Sequence, residues 1–400
     1  MTDFSQRIFR PPSGKDIRLT SMITGKCMMK TPDASPKNNL SFAIKPYKKG
    51  DEVHIIALFE KVFGKTMGKT ESARHWQWEI AGNPVKPISI MLAWDGDRLI
   101  SHEGANLLRV WVNGVEHLGV LIFDTMTDPE YKGQGIFSET AKSLYKDLTE
   151  KGYQFIYGFP NANVVQARIR KLDWVIIAPM PIHICPLDVG PFIRHKTRNA
   201  LLGSLAGGLY KPFVKFAHHC LSKQDQKNIE IRRMEKFDQW ADDLWLKCRN
   251  QHKLWVVRDF EYLSWRYDQR PESQFRLFTA WHHNEIAGYI ITASQDRDQG
   301  KVSFILDILA VTDVKGVVEK LLNAVITASM ESNEALISAM AMPASVYRKA
   351  FHKFFFIPVP EKMFPQEIHF GARLLGDKIS RETFYNPQSW YISWGDTDLF

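Results

Sequence analysis

A mixed α/β (α+β) fold used twice is what this sequence predicts, and three observations carry the prediction. From residue 41 onward, strand-like runs interchange with amphipathic helical stretches. Asp95-Gly96 and Asn113-Gly114 each sit between apolar runs, which marks antiparallel hairpins. Tryptophans and a proline then recur at one fixed separation between the two halves. The chain has 400 residues, of which 44% are hydrophobic, enough to bury the cores of two or three ordinary domains.

The elements follow in order. Residues 1–40, ending in KTPDASPKNN, lack periodicity and are expected to be a mobile basic tail. The start carries no apolar run of secretory-signal length, and the four cysteines are widely spaced. A cytoplasmic location is therefore expected, without a disulfide frame or a metal site. SFAIKPY reads as a strand, DEVHIIALFEKVF as a helix opening on Asp51, and TESARHWQWEI as a second helix. Three strands follow around the two turns. GIFSETAKSLYKDLTEKG is a helix ended by Gly152, QFIYGF a strand and VVQARIRKL a helix. The final SWYISWGDTDLF reads as a strand and short tail.

The second half repeats this plan. Trp78 and Trp265, Pro84 and Pro271, and Trp94 and Trp281 are all 187 residues apart. Asp124 and Asp307, Lys132 and Lys315, Gly133 and Gly316, and Pro160 and Pro343 are all 183 apart. A two-copy duplication is the reading, with domains expected at 41–189 and 226–400. The intervening 190–225 is expected to be a basic amphipathic linker, packed on both halves or in peripheral contact with an anionic membrane.

One loop carries chemistry. LGVLIFDTM runs into TDPEYKGQG and directly into a helix, whose first N–H groups lack partners. Glycines keep side-chain bulk away from those groups, and Lys132 adds positive charge, an arrangement suited to a pyrophosphate. The spacing is neither that of a P-loop nor that of a dinucleotide fold.

In KGQGIF, between strand and helix, the chain resembles the GCN5-related N-acetyltransferases (GNAT), whose acetyl-CoA signature is Arg or Gln, two residues, Gly, one residue, then Gly or Ala. Gly135 matches, whereas Lys132 and Phe137 depart from the pattern. The resemblance implies two GNAT-like domains and acetyl-CoA as acyl donor, held along Lys132, Gly133, Gln134, Gly135, Ile136 and Phe137. It also implies contacts from Thr125, Met126 and Thr127 on the preceding strand. GFPNANVVQARIRKLDW looks like the family's fifth strand and next helix, which adds Asn161 and Asn163. The usual acidic Tyr is replaced by Ile169, leaving Tyr131, Tyr157 or water to protonate the thiolate. In the second copy KGVVEK would put Val318 in the place of Gly135, so that copy is expected to keep the fold and lose the cofactor.

Asp124 and Glu103 are the candidate bases or ammonium anchors, with the carboxylate of Phe400 a further one. Asp307 at the matching place in the second copy equally fits a structural role for Asp124. The net charge of +8 and pI near 9.1 favour an acidic partner, but 44 acidic residues lie among 52 basic ones. The resemblance points to N-acetylation of a small amine, perhaps an amino sugar of surface-polysaccharide synthesis, with no nucleic acid or metal. The alternatives are an aminoacyl-tRNA-using transferase of the peptidoglycan type and a noncatalytic module at a membrane surface.

Overall fold

The structure is a computed structural model, and it describes residues 41–64, 69–222, 228–271, 274–297, 300–363 and 368–398. The expected tail over 1–40 and the terminal Phe400 lie outside the described residues. The first half runs β1 (Ala43–Pro46), α1 (Glu52–Phe63), α2 (Lys69–Trp76), β2 (Ser89–Asp95), β3 (Arg98–Val112), β4 (Val115–Thr127), α3 (Ile136–Glu150), β5 (Phe155–Gly158), α4 (Val165–Leu172), β6 (Val175–Pro179) and β7 (Ile182–Pro186). Through β6 this is the expected element order, and β7 is a further strand. Asp95-Gly96 and Asn113-Gly114 close the two hairpins, and the glycines take the positive φ (56° and 91°) that such turns require.

The second half runs α5 (Gly190–Thr197), α6 (Ala200–Ser222), β8 (Ile229–Met234), α7 (Trp240–Cys248), β9 (Leu254–Val256), α8 (Phe260–Leu263), β10 (Phe275–His282), β11 (Glu285–Arg297), β12 (Gly300–Ala310), α9 (Val317–Glu331), β13 (Leu336–Met340), α10 (Arg348–Lys353), β14 (Ile357–Pro358), β15 (His369–Leu374) and α11 (Arg381–Phe384).

Two mixed sheets result. The first has the order β1-β2-β3-β4-β5-β15-β6 with β9 added on β3, and the second has β8-β10-β11-β12-β13-β7-β14. Each sheet thus takes its sixth strand from the other half of the chain. β15 lies antiparallel between β5 and β6, and β7 lies antiparallel between β13 and β14. A cut between residues 189 and 226 would therefore strip a buried strand from each sheet.

The tryptophan repeat is physical. α2 and α8 both run into a five-residue π-helical turn, Gln77–Ala81 and Ser264–Asp268, and each turn presents its Trp toward the other. Trp78 Nε1 donates to the Trp265 carbonyl (2.6 Å), and Trp265 Nε1 donates to the Trp78 carbonyl (3.0 Å), with the rings stacked 5.9 Å apart. This reciprocal pair marks a local two-fold between the halves. Around it, the largest apolar core joins both sheets, from Phe155 and Tyr157 to Phe370, Trp390 and Trp394.

The terminal SWYISW does not form a strand. Residues 389–397 pack as an irregular buried segment whose side chains enter the core between the halves, ending in a 3-10 turn at Trp394–Asp396. With apolar surface on both sides, the segment gains more from burying its aromatic rings than from a regular ladder.

Candidate acyl-donor cleft

β4 pairs with β5 only over Gly119–Leu121, opposite Phe155–Tyr157. Beyond that point the strands part. The cause lies on the other edge of β4, where the β3 register skips between His102 and Gly104 and Asp124 takes φ +44°. His102, fully buried on β3, has Nδ1 2.7 Å from the Asp124 carbonyl, and burial pulls its pKa below the ordinary range. The edge of β4 from Ile122 onward is left without a β5 partner and lines a cleft of about 140 Å³. Asp124 and Thr125 form one wall, Gly158, Pro160 and Asn161 the other, with Arg168 from α4 and Asp398 from the chain end completing it.

The glycine loop begins just past that wall. Its lead-in is pinned: buried Asp128 receives Lys61 Nζ (2.9 Å) and Arg98 Nη2 (2.6 Å), and Tyr131 donates to Asp95 (2.7 Å) beneath the Arg98 guanidinium. Gly133 and Gly135 then take φ of +81° and +84°, and Gly135 is the N-cap of α3. A Cβ built on either glycine would meet nothing within 4 Å. The space above the helix N-terminus is thus open for a ligand, and the positive φ is what demands glycine. Ile136 and Phe137 turn inward, Ile136 into the core and Phe137 against the Arg168 guanidinium. Their contribution at the loop is their backbone N–H groups.

Arg168 organises the cleft floor. Its guanidinium pairs with Glu103 Oε1 (2.6 Å), donates to the Tyr145 hydroxyl and to Thr125 Oγ1 (2.7 Å), and lies over the Phe137 and Trp174 rings. Glu103 is fully buried behind it, where burial pushes its carboxyl upward against the pull of Arg168. Glu103 is not among the cleft-lining residues, so the structure gives it the anchoring of Arg168 in place of the expected access to substrate. Removing one partner of such a buried pair typically costs ~3–5 kcal/mol.

The other sequence candidates separate. Asp124, Thr125 and Asn161 line the cleft; Asn161 caps the turn into α4, its Oδ1 accepting from the Asn163 N–H (3.0 Å), while Asn163 itself is exposed. Met126 is buried and its carbonyl accepts from Ser101 Oγ (2.8 Å), with Thr127 Oγ1 3.1 Å from the same hydroxyl. Lys132 and Gln134 belong to the exposed or half-buried loop. Tyr157 is buried, donating to the Asp396 carbonyl (3.2 Å), and does not line the cleft; Ile169 is exposed on α4. Arg168 and Asp398 were not singled out in the sequence. Arg168 had a signal in being a charge on the inward face of an amphipathic helix; Asp398 had none.

The second half corrects the expected equivalence of Gly135 and Val318. Both α3 and α9 have 15 residues, and their N-caps are Gly135 (φ +84°) and Gly316 (φ +94°), 181 residues apart. Strand pairing before the loop keeps the 183 separation, Gly119 matching Val302, and strand pairing after it gives 181, Phe155 matching Leu336. The second loop is thus two residues shorter, and Val314 stands where the first has Gly133. The Lys132–Lys315 and Gly133–Gly316 matches are coincidences of sequence. The parting between β12 and β13 is moreover filled by the chain's own end: Trp394 packs on Phe304 (5.5 Å) and donates to Ser338 Oγ (3.2 Å). Asp307, the counterpart of Asp124, is buried and receives Arg258 Nε (3.3 Å), the Tyr289 hydroxyl (2.9 Å) and the Tyr391 hydroxyl (3.2 Å).

Comparison with known proteins agrees with this geometry. Residues 43–176 match the family model for the acetyltransferase (GNAT) domain. No curated relative matches the sequence. Among solved structures, the chain is similar to a probable N-acyltransferase of Enterococcus faecalis (14% identity, 84% of this chain and 73% of that one, TM-score 0.57). It is also similar to a GCN5-related N-acetyltransferase of Anabaena variabilis (13%, 84% and 73%, 0.57) and to Saccharomyces cerevisiae N-myristoyltransferase with bound myristoyl-CoA (10%, 85% and 80%, 0.52). At these identities the likeness is one of fold. The stretch that matches the GNAT acetyltransferase model, residues 43–176, contains the glycine loop and most of the cleft lining, and the solved structures share the fold.

Proposed function

We propose that the protein is an acyl-CoA-dependent N-acyltransferase, with the donor in the β4/β5 cleft and a small amine as acceptor. The observation that carries this reading is the conjunction of an open cleft where β4 runs beyond its β5 partner with a two-glycine loop at the head of α3; in the other half Trp394 fills the parting and the shorter loop keeps one glycine. A bound thioester supplies the activated acyl group; the chain's own residues bind, orient and move protons. Backbone N–H groups from Gly133 to Phe137 hold a pyrophosphate, and the cleft-lining stretch Ile122 to Thr125, beyond the β5 pairing, holds an extended amide-containing arm by strand-like hydrogen bonds. Asp124 and Asp398 set negative charge at the cleft, which attracts an ammonium and takes its proton.

The acetyl group is the acyl unit that we assign. The cleft volume of about 140 Å³ falls below the ~300–1,000 Å³ of pockets for drug-sized ligands, which favours a short acyl end. Within small amines, an amino sugar is the assigned class, supported by the resemblance of such chains to enzymes of surface-polysaccharide synthesis. Titration calorimetry with acetyl-CoA and myristoyl-CoA, followed by a thiol-release screen against amino sugars, polyamines and peptides, tests each level. Binding of acetyl-CoA and turnover on an amino sugar are expected. Preference for the long chain would overturn the acetyl assignment; binding of neither would overturn the acyltransferase reading and leave the aminoacyl-tRNA or noncatalytic alternatives.

A further inference from the structure

α6 carries apolar side chains on two opposite faces. Its inner face, Gly203, Gly207, Val214 and His218, is buried against the protein, with Gly203 and Gly207 allowing close approach of α5. Its outer face exposes Leu201 (77%), Leu205 (65%), Leu209 (79%), Phe213 (67%) and Phe216 (67%), recurring every three or four residues. Leu202 and, from α5, Phe192 widen the exposed apolar surface. Scattered exposed leucines need no explanation, but a continuous stripe along a 23-residue helix does.

Charge identifies what the stripe meets. At 100° per residue, exposed Ser204, Gly208, Lys211, Lys215 and His219 form a second stripe beside the leucines, so the outward surface is apolar along one side and basic along the other. The segment 190–222 contains Arg194, Lys196, Arg198, Lys211 and Lys215 and no Asp or Glu. Its polar complement is therefore anionic. Lys211 already reaches Asp188 (2.9 Å), and Lys215, although exposed, stands at the mouth of a groove that also holds Glu331 and Glu334, so the exposed α5 cluster supplies most of the outward charge. Length alone does not make α6 a span: Lys211, Pro212 and Lys215 interrupt it, and no helix of the described residues is long and apolar enough to cross a membrane.

We infer that α6 lies in the plane of an anionic lipid surface, its Leu/Phe stripe entering the acyl region while Lys215 and the Arg194–Arg198 cluster meet the headgroups. An apolar face rich in Leu and Phe beside Lys and Arg is the composition that binds such interfaces, through buried apolar area plus attraction to anionic lipid. This docking is independent of the acyl-donor cleft and stands or falls without it.

The test is cosedimentation of the full chain with phosphatidylcholine vesicles, with and without phosphatidylserine, at low and high salt. Pelleting with the anionic vesicles is expected, reduced by salt. Leu205→Glu with Leu209→Glu should lower partitioning by about tenfold or more. Lys215→Glu with Lys196→Glu should remove the preference for phosphatidylserine. All four positions are exposed, and an unchanged thermal midpoint in each variant confirms that the fold persists. Failure to pellet on either vesicle overturns the inference. So does a concentration-dependent dimer, seen by light scattering, that the Leu variants dissolve, since a second copy would then cover the face.

Discussion

The two places where parallel strands part, between β4 and β5 and between β12 and β13, started from one backbone plan and ended in opposite states. Both have a strand bulge, an Asp at matching positions and a 15-residue helix capped by a positive-φ glycine. In the first, β4 beyond its β5 pairing lines a cleft that is open among the described residues. In the second, Trp394 occupies the parting, and Asp307 is satisfied by Arg258 and two tyrosines. The glycine cap therefore does not by itself make a cofactor site. What distinguishes the first parting is a loop two residues longer, the second glycine at 133, and a cleft that no side chain of the described residues fills.

The sharpest way to break this comparison is to remove the arginine that holds the filled side together. Arg258 is buried and pairs with both Asp307 (3.3 Å) and Asp396 (2.6 Å). Arg258→Leu leaves two buried carboxylates without their cation, and a loss of ~3–5 kcal/mol or more in urea unfolding is expected. A change no larger than that of a surface substitution would mean that the chain end is not anchored as described.

A matched pair of glycine variants comes next. Gly135→Val and Gly316→Val force the same left-handed conformation on a branched residue, so each should cost about 1–2 kcal/mol of stability. Only Gly135→Val should weaken acetyl-CoA binding, by about 100-fold or more in calorimetry, because only that helix start adjoins an open cleft, the other parting being filled by Trp394. Equal effects of the two on binding would refute the asymmetry. The aspartates give a third contrast: Asp124→Asn should reduce kcat by about 100-fold with little change in acetyl-CoA affinity, while Asp307→Asn should lower stability and leave the chemistry in place.

The smallest effect is one of pH. Burial pulls the His252 pKa down to about 3 and that of His218 to about 4, below the ~6.5 of the unfolded chain. The folded state then binds fewer protons than the unfolded one, so stability rises with pH. It is complete above ~6.5 and declines as pH falls toward 4 and 3, by up to about 1.4 kcal/mol per pH unit for each histidine. His252 packs against the Tyr391 ring, tilted by 32°, in the filled half. A urea midpoint that falls from pH 6.5 to 5, with a shallower fall in His252→Gln, is the expected result.

Much of this was readable from residues alone. Hydrophobic period, Asx-Gly turns and helix-ending glycine located nearly every element of the first half, because those signals are local. The tryptophan repeat was readable because Trp78 and Trp265 must be the same residue to exchange the same hydrogen bonds. The match beyond Asp124 slipped by two residues, since loop length changes inside a stretch where Lys-Gly recurs by chance. HFGARL, which forms β15, carries little local signal because it is six residues long and its partners, β5 and β6, lie some two hundred residues earlier.

The sequence by itself determined the repeated α/β plan, the glycine loop and the basic, apolar character of the linker, all of which depend on the chemistry of near neighbours. Only the tertiary structure decided that the halves exchange a strand, that Arg168 stands between Glu103 and the cleft and that residues 390–398 close one cleft while reaching the rim of the other. Those outcomes rest on which distant surfaces meet. Burial of aromatic and ionic groups at such meetings depends on three-dimensional packing that no local pattern encodes.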